Sequence, residues 1–342
     1  MSKKLAFCLA AVAFALAGCK SAPDVDSSVT SVSEEGGIRF TRITDDNDAV
    51  SVTDIPVQGN RRIPVVQKVF DVSRDGNKVA YLATRDKKTN IYVKNLATGA
   101  KGTLQRTFRD NVMDVSLSPD GRILAFSDRR EGNLNVYLTS ADSGSAIRQV
   151  TSSPLDERFP AFSTDGRSLL YVQNEQTAKE KAAAAGQQYM WVYDIARGTQ
   201  TQYAEGYNGE FSPDSRKVVF TRNNKETQAR ELWQMELDNG QEVLIASEKN
   251  RNFMDPVMSP DGTKIAFTSA SKDKDEGADR NLDIYVINAD GSNLTQVTFH
   301  PGDDMLPRWG ADGKSIYFLS QRGSPEKKWN IWRMDLRGNM LQ

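Results

Sequence analysis

From Ile38 onward the chain alternates apolar and polar positions in short runs separated by turn residues, the period of half-buried strands rather than helices. "SPDGRILAF" at Ser118–Phe126 returns as "SPDGTKIAF" at Ser259–Phe267. Its Pro takes the second position of a type I turn, where its fixed φ already fits, and its Gly stands where a left-handed residue closes a G1 bulge. The apolar run that follows, with a β-branched and an aromatic member, reads as the next strand. The phrase therefore encodes strand, tight turn, strand.

The turn Asp recurs at Asp75, Asp120, Asp165, Asp214, Asp261 and Asp312, and six residues after each stands an aromatic: Tyr81, Phe126, Tyr171, Phe220, Phe267 and Phe318. A second landmark follows in each copy, an aromatic strand ending in a Gly turn, as in "NIYVKNLATG" and "DIYVINADG". Segments such as "AIRQVTS" and "NLTQVTF" then supply a fourth, outermost strand. Six copies of about 47 residues predict an all-β chain, a six-bladed β-propeller of four-stranded antiparallel blades. The last copy ends before an outer strand. Residues 38–44, "IRFTRIT", resemble "IRQVT" and "LTQVT", so this N-terminal strand is expected to complete the last blade and close the ring.

The first residues give an address. Met1–Gly18 joins Lys3 and Lys4 to a short apolar run and stops at Cys19, the layout of a secretory signal. "LAGC" at Leu16–Cys19 resembles the bacterial lipobox, which implies a signal peptide over 1–18 and a lipoprotein acylated (diacylglycerol, palmitate) at Cys19. In the same resemblance Lys20, where Asp would mark inner-membrane retention, favours the outer membrane. Cleavage removes Cys8 and leaves no disulfide partner for Cys19. Residues 19–37, polar and Ser-rich, read as a flexible tether, and 38–342 as the propeller. Without Lys3 and Lys4, 42 of the 44 basic side chains face 45 acidic ones. That balance, with no basic cluster, argues against nucleic acid and leaves acyl chains as the membrane contact.

Catalytic patterns are sparse. The chain has no Gly-x-Ser-x-Gly elbow, phosphate loop or His-Glu-x-x-His, and its single histidine, His300, lies in "TFHPGDDM" between blades. Acidic clusters at Asp45, Asp46 and Asp48, at Asp273, Asp275, Glu276, Asp279 and Asp283, and at Asp303 and Asp304 offer hard oxygen ligands without the spacing of a calcium loop, so no metal or other cofactor is expected. Turn chemistry explains the six repeated Asp residues. Ser215 stands where the other five copies have Gly, and is expected at positive φ. Tyr92, Tyr137, Trp191, Trp233, Tyr285 and Trp332 on the third strands read as core packing between blades. The first strands offer Asp71, Asp114 and Asp255 toward the central channel, enough for a two-carboxylate glycosidase reading.

Irregularity is more informative. Asn174–Met190, whose Ala, Lys and Glu content suggests a short helix, the insertion around Asp275 and the stretch Asp45–Arg62 all fall where strand two meets three or where one blade passes to the next. In a propeller these connections share one face. Insertions on one face fit a binding surface as well as they fit the tolerance of loops for added residues; on the first reading Tyr189, Asp275, Glu276, Asp303 and Asp304 are its candidate contacts.

Ser-Pro-Asp-Gly-x-x-apolar-Ala-Phe, followed by Ile-Tyr-Val and a Gly turn, resembles the TolB-type WD-repeat-like propeller over essentially 38–342. The resemblance implies an envelope partner such as the peptidoglycan-associated lipoprotein or a cell-wall component, since TolB proteins bind that lipoprotein. TolB carries an α/β domain before its propeller, where this chain carries a lipobox. Similar propellers occur in prolyl oligopeptidases, with an attached hydrolase domain, and in oligogalacturonate lyases, with several metal-binding His residues. The expectation is a non-enzymatic, monomeric, lipid-anchored scaffold on the periplasmic side of the outer membrane, with a carbohydrate-active enzyme or a cell-surface adhesion ligand as alternatives.

Overall fold

The computed structural model describes residues 32–35, 37–47, 49–52, 54–56, 62–64, 67–98, 103–106, 112–142, 146–175, 187–270 and 281–336. Six antiparallel sheets follow one another along the chain. Blade one comprises Phe70–Val72, Lys78–Arg85, Lys88–Asn95 and Thr103–Arg106, and blade two Val112–Leu117, Ile123–Asp128, Asn135–Ser140 and Arg148–Gln149. Blade three is built from Glu157–Phe162, Ser168–Asn174, Gln188–Asp194 and Gln200–Glu205, and blade four from Tyr207–Phe211, Lys217–Asn223, Arg230–Glu236 and Glu242–Ala246. Blade five has Met254–Met258, Lys264–Ala270, Leu282–Asn288 and Thr295–Gln296. Blade six joins Asp304–Trp309, Ser315–Ser320 and Asn330–Asp335 to the N-terminal Ile38–Arg42.

That last pairing closes the ring as expected, with Phe40 opposite Met334 and Arg42 opposite Trp332. Side-chain chemistry repeats with it. The Thr44 hydroxyl accepts the Ile331 amide at 2.9 Å, as Thr151 accepts Val136 at 2.8 Å and Thr298 accepts Ile284 at 2.9 Å. Phe40 is buried edge-on against Phe318. One boundary moves: Val32–Glu35, assigned to the tether from sequence, pairs with Ile38–Arg42 as a fifth strand. Residues 1–31, with the signal peptide and Cys19, lie outside the described residues, as does 176–186, the middle of the Asn174–Met190 segment expected to be helical, whose ends belong to the strands Ser168–Asn174 and Gln188–Asp194.

The turns confirm local chemistry. Each turn Asp accepts the amide two residues on, at 2.9–3.1 Å in all six copies. In the first five, the preceding Ser also donates its hydroxyl to that carboxylate. The sixth copy reads Gly310 in place of Ser, because Ser315 reaches back to Asp312 from the next strand and a Cβ on Gly310 would meet its hydroxyl at 2.1 Å. Ser215 does adopt φ 60°. Its hydroxyl lies 2.6 Å from that of Thr164 in the neighbouring turn, a tie that glycine could not make.

The repeated aromatics meet within each blade. Tyr81 faces Tyr92, Phe126 faces Tyr137, Tyr171 faces Trp191, Phe220 faces Trp233, Phe267 faces Tyr285 and Phe318 faces Trp332. Four of these pairs stack with interplanar angles of 12–25°. Packing between blades adds to this, as where Phe318 and Trp332 share a cluster with Ile284 and Val286 of blade five.

Candidate binding face

Each innermost strand brings one charged side chain to the channel: Asp71, Asp114, Arg158, Glu210, Asp255 and Arg308. The chain aims them by bulges, since the first strand of every blade from two to six shifts register against its neighbour. In blades three to six the bulge holds Phe159, Asn208, Asp255 and Leu306 at φ 52–56°. Such conformations cost about 1 kcal/mol each and persist only where the surroundings enforce them.

Here the surroundings are a network of charges. Asp114 is fully buried and takes a two-pronged contact from Arg158, both at 3.1 Å, together with the Lys68 amide at 3.0 Å and the Ser127 hydroxyl. Burial alone would raise its pKa, but the Arg158 charge and these hydrogen bonds outweigh it and hold the carboxyl below the usual value. Asp71 accepts Ser116 Oγ at 2.8 Å and the Leu117 amide at 2.9 Å, and faces Arg308 at 3.3 Å. Glu210 lies between Lys68 and Arg308, at 2.5 and 3.5 Å. Asp255 accepts Asn208 Nδ2 at 2.9 Å; burial dominates there and pushes its pKa up despite Arg308 and Arg230. The three channel acids read from sequence therefore come together, and each ties neighbouring blades. Arg158, Glu210, Arg308 and Lys68 were not singled out from sequence, although a charge inside an apolar strand ahead of each turn was there to be seen.

The two ends of the ring differ. At the turn end a cavity of about 130 Å³ sits above Asp71, Glu210 and Arg308, rimmed by Pro119, Pro213 and Pro260. At the opposite, loop end a wider groove of about 510 Å³ is lined by Val50, Ser51, Thr84, Val112, Lys328 and Trp329. The segment after the closing strand does cross this end: the Ser51 amide donates to the Leu82 carbonyl and Val50 bridges to Trp329. Asp46, gripped by Arg42 and Asn330, anchors it, and hydrogen bonds led by Asn330 lower its pKa against the raising effect of burial.

The candidate contacts separate. Tyr189 stands at the loop end of blade three, half-buried, its hydroxyl 3.2 Å from Gln187 Oε1. Asp275 and Glu276 lie outside the described residues. Asp303 and Asp304, set on the partner face from sequence, have internal partners instead. Asp303 accepts the Leu282 amide at 2.7 Å, as Asp156 accepts Leu134 in blade two. Asp304 is fully buried, where Arg322 donates to it at 2.6 Å and burial raises its pKa. His300 receives the Gly302 amide on Nδ1. Among the described residues no group of three His, Cys, Asp or Glu side chains is placed to hold a metal.

The family model of the TolB beta propeller domain matches residues 64–275 and 210–342. The chain belongs to this TolB β-propeller family. It is 24% identical to the Tol-Pal system protein TolB of Francisella tularensis over 69% of its own length, and spans about half (52%) of that protein. Crystallised TolB of Acinetobacter baumannii superposes with a TM-score of 0.58 at 14% identity, covering 77% of this chain and 64% of that one. An oligogalacturonate lyase of Vibrio parahaemolyticus gives 0.59 at 14% identity, covering 91% and 97%. The fold thus serves both a Tol-Pal protein and an enzyme, and function has to be argued from the site.

Proposed function

We propose that this TolB-type propeller is a non-enzymatic docking scaffold of the bacterial envelope, held to the periplasmic face of the outer membrane by acylated Cys19, and that its loop end receives an envelope protein or cell-wall component. The observation that carries the reading is the state of the channel floor. Every carboxylate there has a bonded cation, amide or hydroxyl partner, so a pair of acids open to a sugar is missing among the described residues. Of the two cavities described above, the larger lies instead at the loop end, beside Trp329 and Lys328. Membership of the TolB β-propeller family and similarity to a Tol-Pal system protein support a protein partner.

A photoreactive residue at position 189 in intact cells, followed by mass spectrometry, tests this reading. Recurrent capture of one envelope protein is the expected result. No adduct there, together with an oligosaccharide bound in crystals near Asp114 and Asp255, would replace it with the carbohydrate-active alternative. Radiolabelled palmitate in the wild type but not in Cys19→Ala is the expected outcome for the anchor.

A further inference from the structure

Five of the six aromatic pairs carry an arginine of their own. Arg85 lies 4.0 Å from the ring centre of Tyr92, Arg130 4.4 Å from Tyr137, Arg222 4.9 Å from Trp233, Arg251 4.6 Å from Tyr285 and Arg322 5.1 Å from Phe318. Guanidinium groups at these distances are attracted by the ring quadrupole. Three of them, Arg85, Arg130 and Arg322, stand four residues after the second-strand aromatic. In blade three that position is Glu175, and among the described residues no cation lies over Tyr171 or Trp191.

A second position departs with it. Two residues before the third-strand aromatic stand Asn90, Asn135, Glu231, Asp283 and Asn330, all buried polar groups, whereas blade three has the half-buried Tyr189. Register places Tyr189 opposite Glu205 on the outer strand, and the Glu175 amide bonds the Gln187 carbonyl beside it. Trp191 is half-buried, and its buried indole N–H has no acceptor among the described residues. Among the described residues no cationic side chain lies against the carboxylate of Glu175 or Glu205. The rim thus combines aromatic surface with two negative charges that have no cationic partner among the described residues, where its sister blades have the positive charge built in.

We propose that the loop end of blade three is a receptor for an arginine side chain of a protein partner, which supplies in trans the guanidinium that five blades supply themselves. This inference rests on the docking role proposed above and gives it a chemistry. Tyr189 and Trp191 offer the rings, and Glu175 and Glu205 the counter-charge.

The test follows the Trp191 indole resonance of the purified full chain in detergent while the peptide acetyl-Ala-Ala-Arg-Ala-Ala-amide is added, with the neutral citrulline peptide as control. A saturable shift with arginine and none with citrulline is expected. Glu175→Gln with Glu205→Gln should weaken the apparent affinity about threefold to tenfold. Glu175→Arg with Tyr189→Asn, which rebuilds the pattern of blades one, two and six, should melt cooperatively and lose the response. Equal shifts with both peptides, an unchanged response in the glutamine pair, or a response that emerges only after Lys179 and Lys181 are replaced by Ala would each overturn the inference, and the glutamine pair decides if the rebuilt blade fails to fold. Crosslinking from position 189 is scored separately. Undiminished capture in the glutamine pair removes the arginine receptor but leaves the docking role, whereas an empty wild-type crosslink removes the docking role.

Discussion

The two ends of a blade follow different rules. At the turn end all six copies make the same bonds: the Asp carboxylate accepts the amide two residues on, and one non-glycine exception, Ser215, is held by a hydroxyl from the next turn. At the loop end the copies diverge. Blade two braces its third strand with Asp156, blade four with Asn252 and blade five with Asp303, while blade three replaces both its arginine and its buried polar group. Agreement among copies marks what holds the ring, and departure marks surface released from that duty. Changes at shared positions should therefore cost stability and leave docking intact, and changes at the blade-three rim should do the reverse.

The largest stability effect belongs to the closing strand, which repeats the pattern of the other outer strands. Removing residues 38–44 takes away Phe40 and Thr44, and should exceed the ~3–5 kcal/mol expected for a buried Phe→Ala change. Thermal melting reads it directly; an unchanged midpoint would mean that the ring does not depend on its clasp.

Asp114→Asn comes next. It strands the Arg158 guanidinium against a neutral amide in a buried site and should cost about 3 kcal/mol at neutral pH. Because the pKa of Asp114 is lowered on folding, its contribution is present above the unfolded value and is lost as pH falls through the folded value. The variant should consequently lose less stability on acidification than the wild type.

Asp255 has the opposite sign. Its folded pKa is raised, so the folded state favours the protonated form and stability declines as pH rises through that folded pKa. Asp255→Asn keeps an oxygen for Asn208 Nδ2 and should flatten the stability profile just above the ordinary carboxylate range. Denaturant midpoints across that range would show it, and a profile as steep as the wild type's would assign the slope to another group.

Ser215→Gly should move stability least. Relief of the positive φ, worth ~1 kcal/mol, opposes loss of the contact with Thr164. In a Thr164→Val background the same change should be clearly stabilising, and a double-mutant cycle by chemical unfolding separates the two terms.

The fold was legible because its signals are local. A Ser-Pro-Asp-Gly turn and the aromatic six residues later lie within one hairpin, so their sixfold recurrence fixes blade number, and the likeness of "RIT" to "QVT" at Thr44 reveals the clasp. The site was legible only in part. Asp71, Asp114 and Asp255 could be found as acids on first strands, but their partners Arg158, Glu210 and Arg308 come from other blades, and bulges at Phe159, Asn208 and Leu306 hide which way each side chain points. Asp303 and Asp304 look alike as loop acids. Burial and Arg322 separate them, and neither is visible without the neighbouring strand. Tyr189 was found through the insertion beside it, while its meaning comes from what the other blades place at the same position.

One measurement weighs the two ends against each other most directly. Photoreactive residues placed separately at Tyr189 and at Arg167, on the loop and turn ends of the same blade, can be compared for adducts in intact cells. A discrete envelope-protein adduct from position 189 and none from position 167 is the predicted result. Adducts from 167 alone would put docking on the repeated turns and contradict the claim that the divergent end binds.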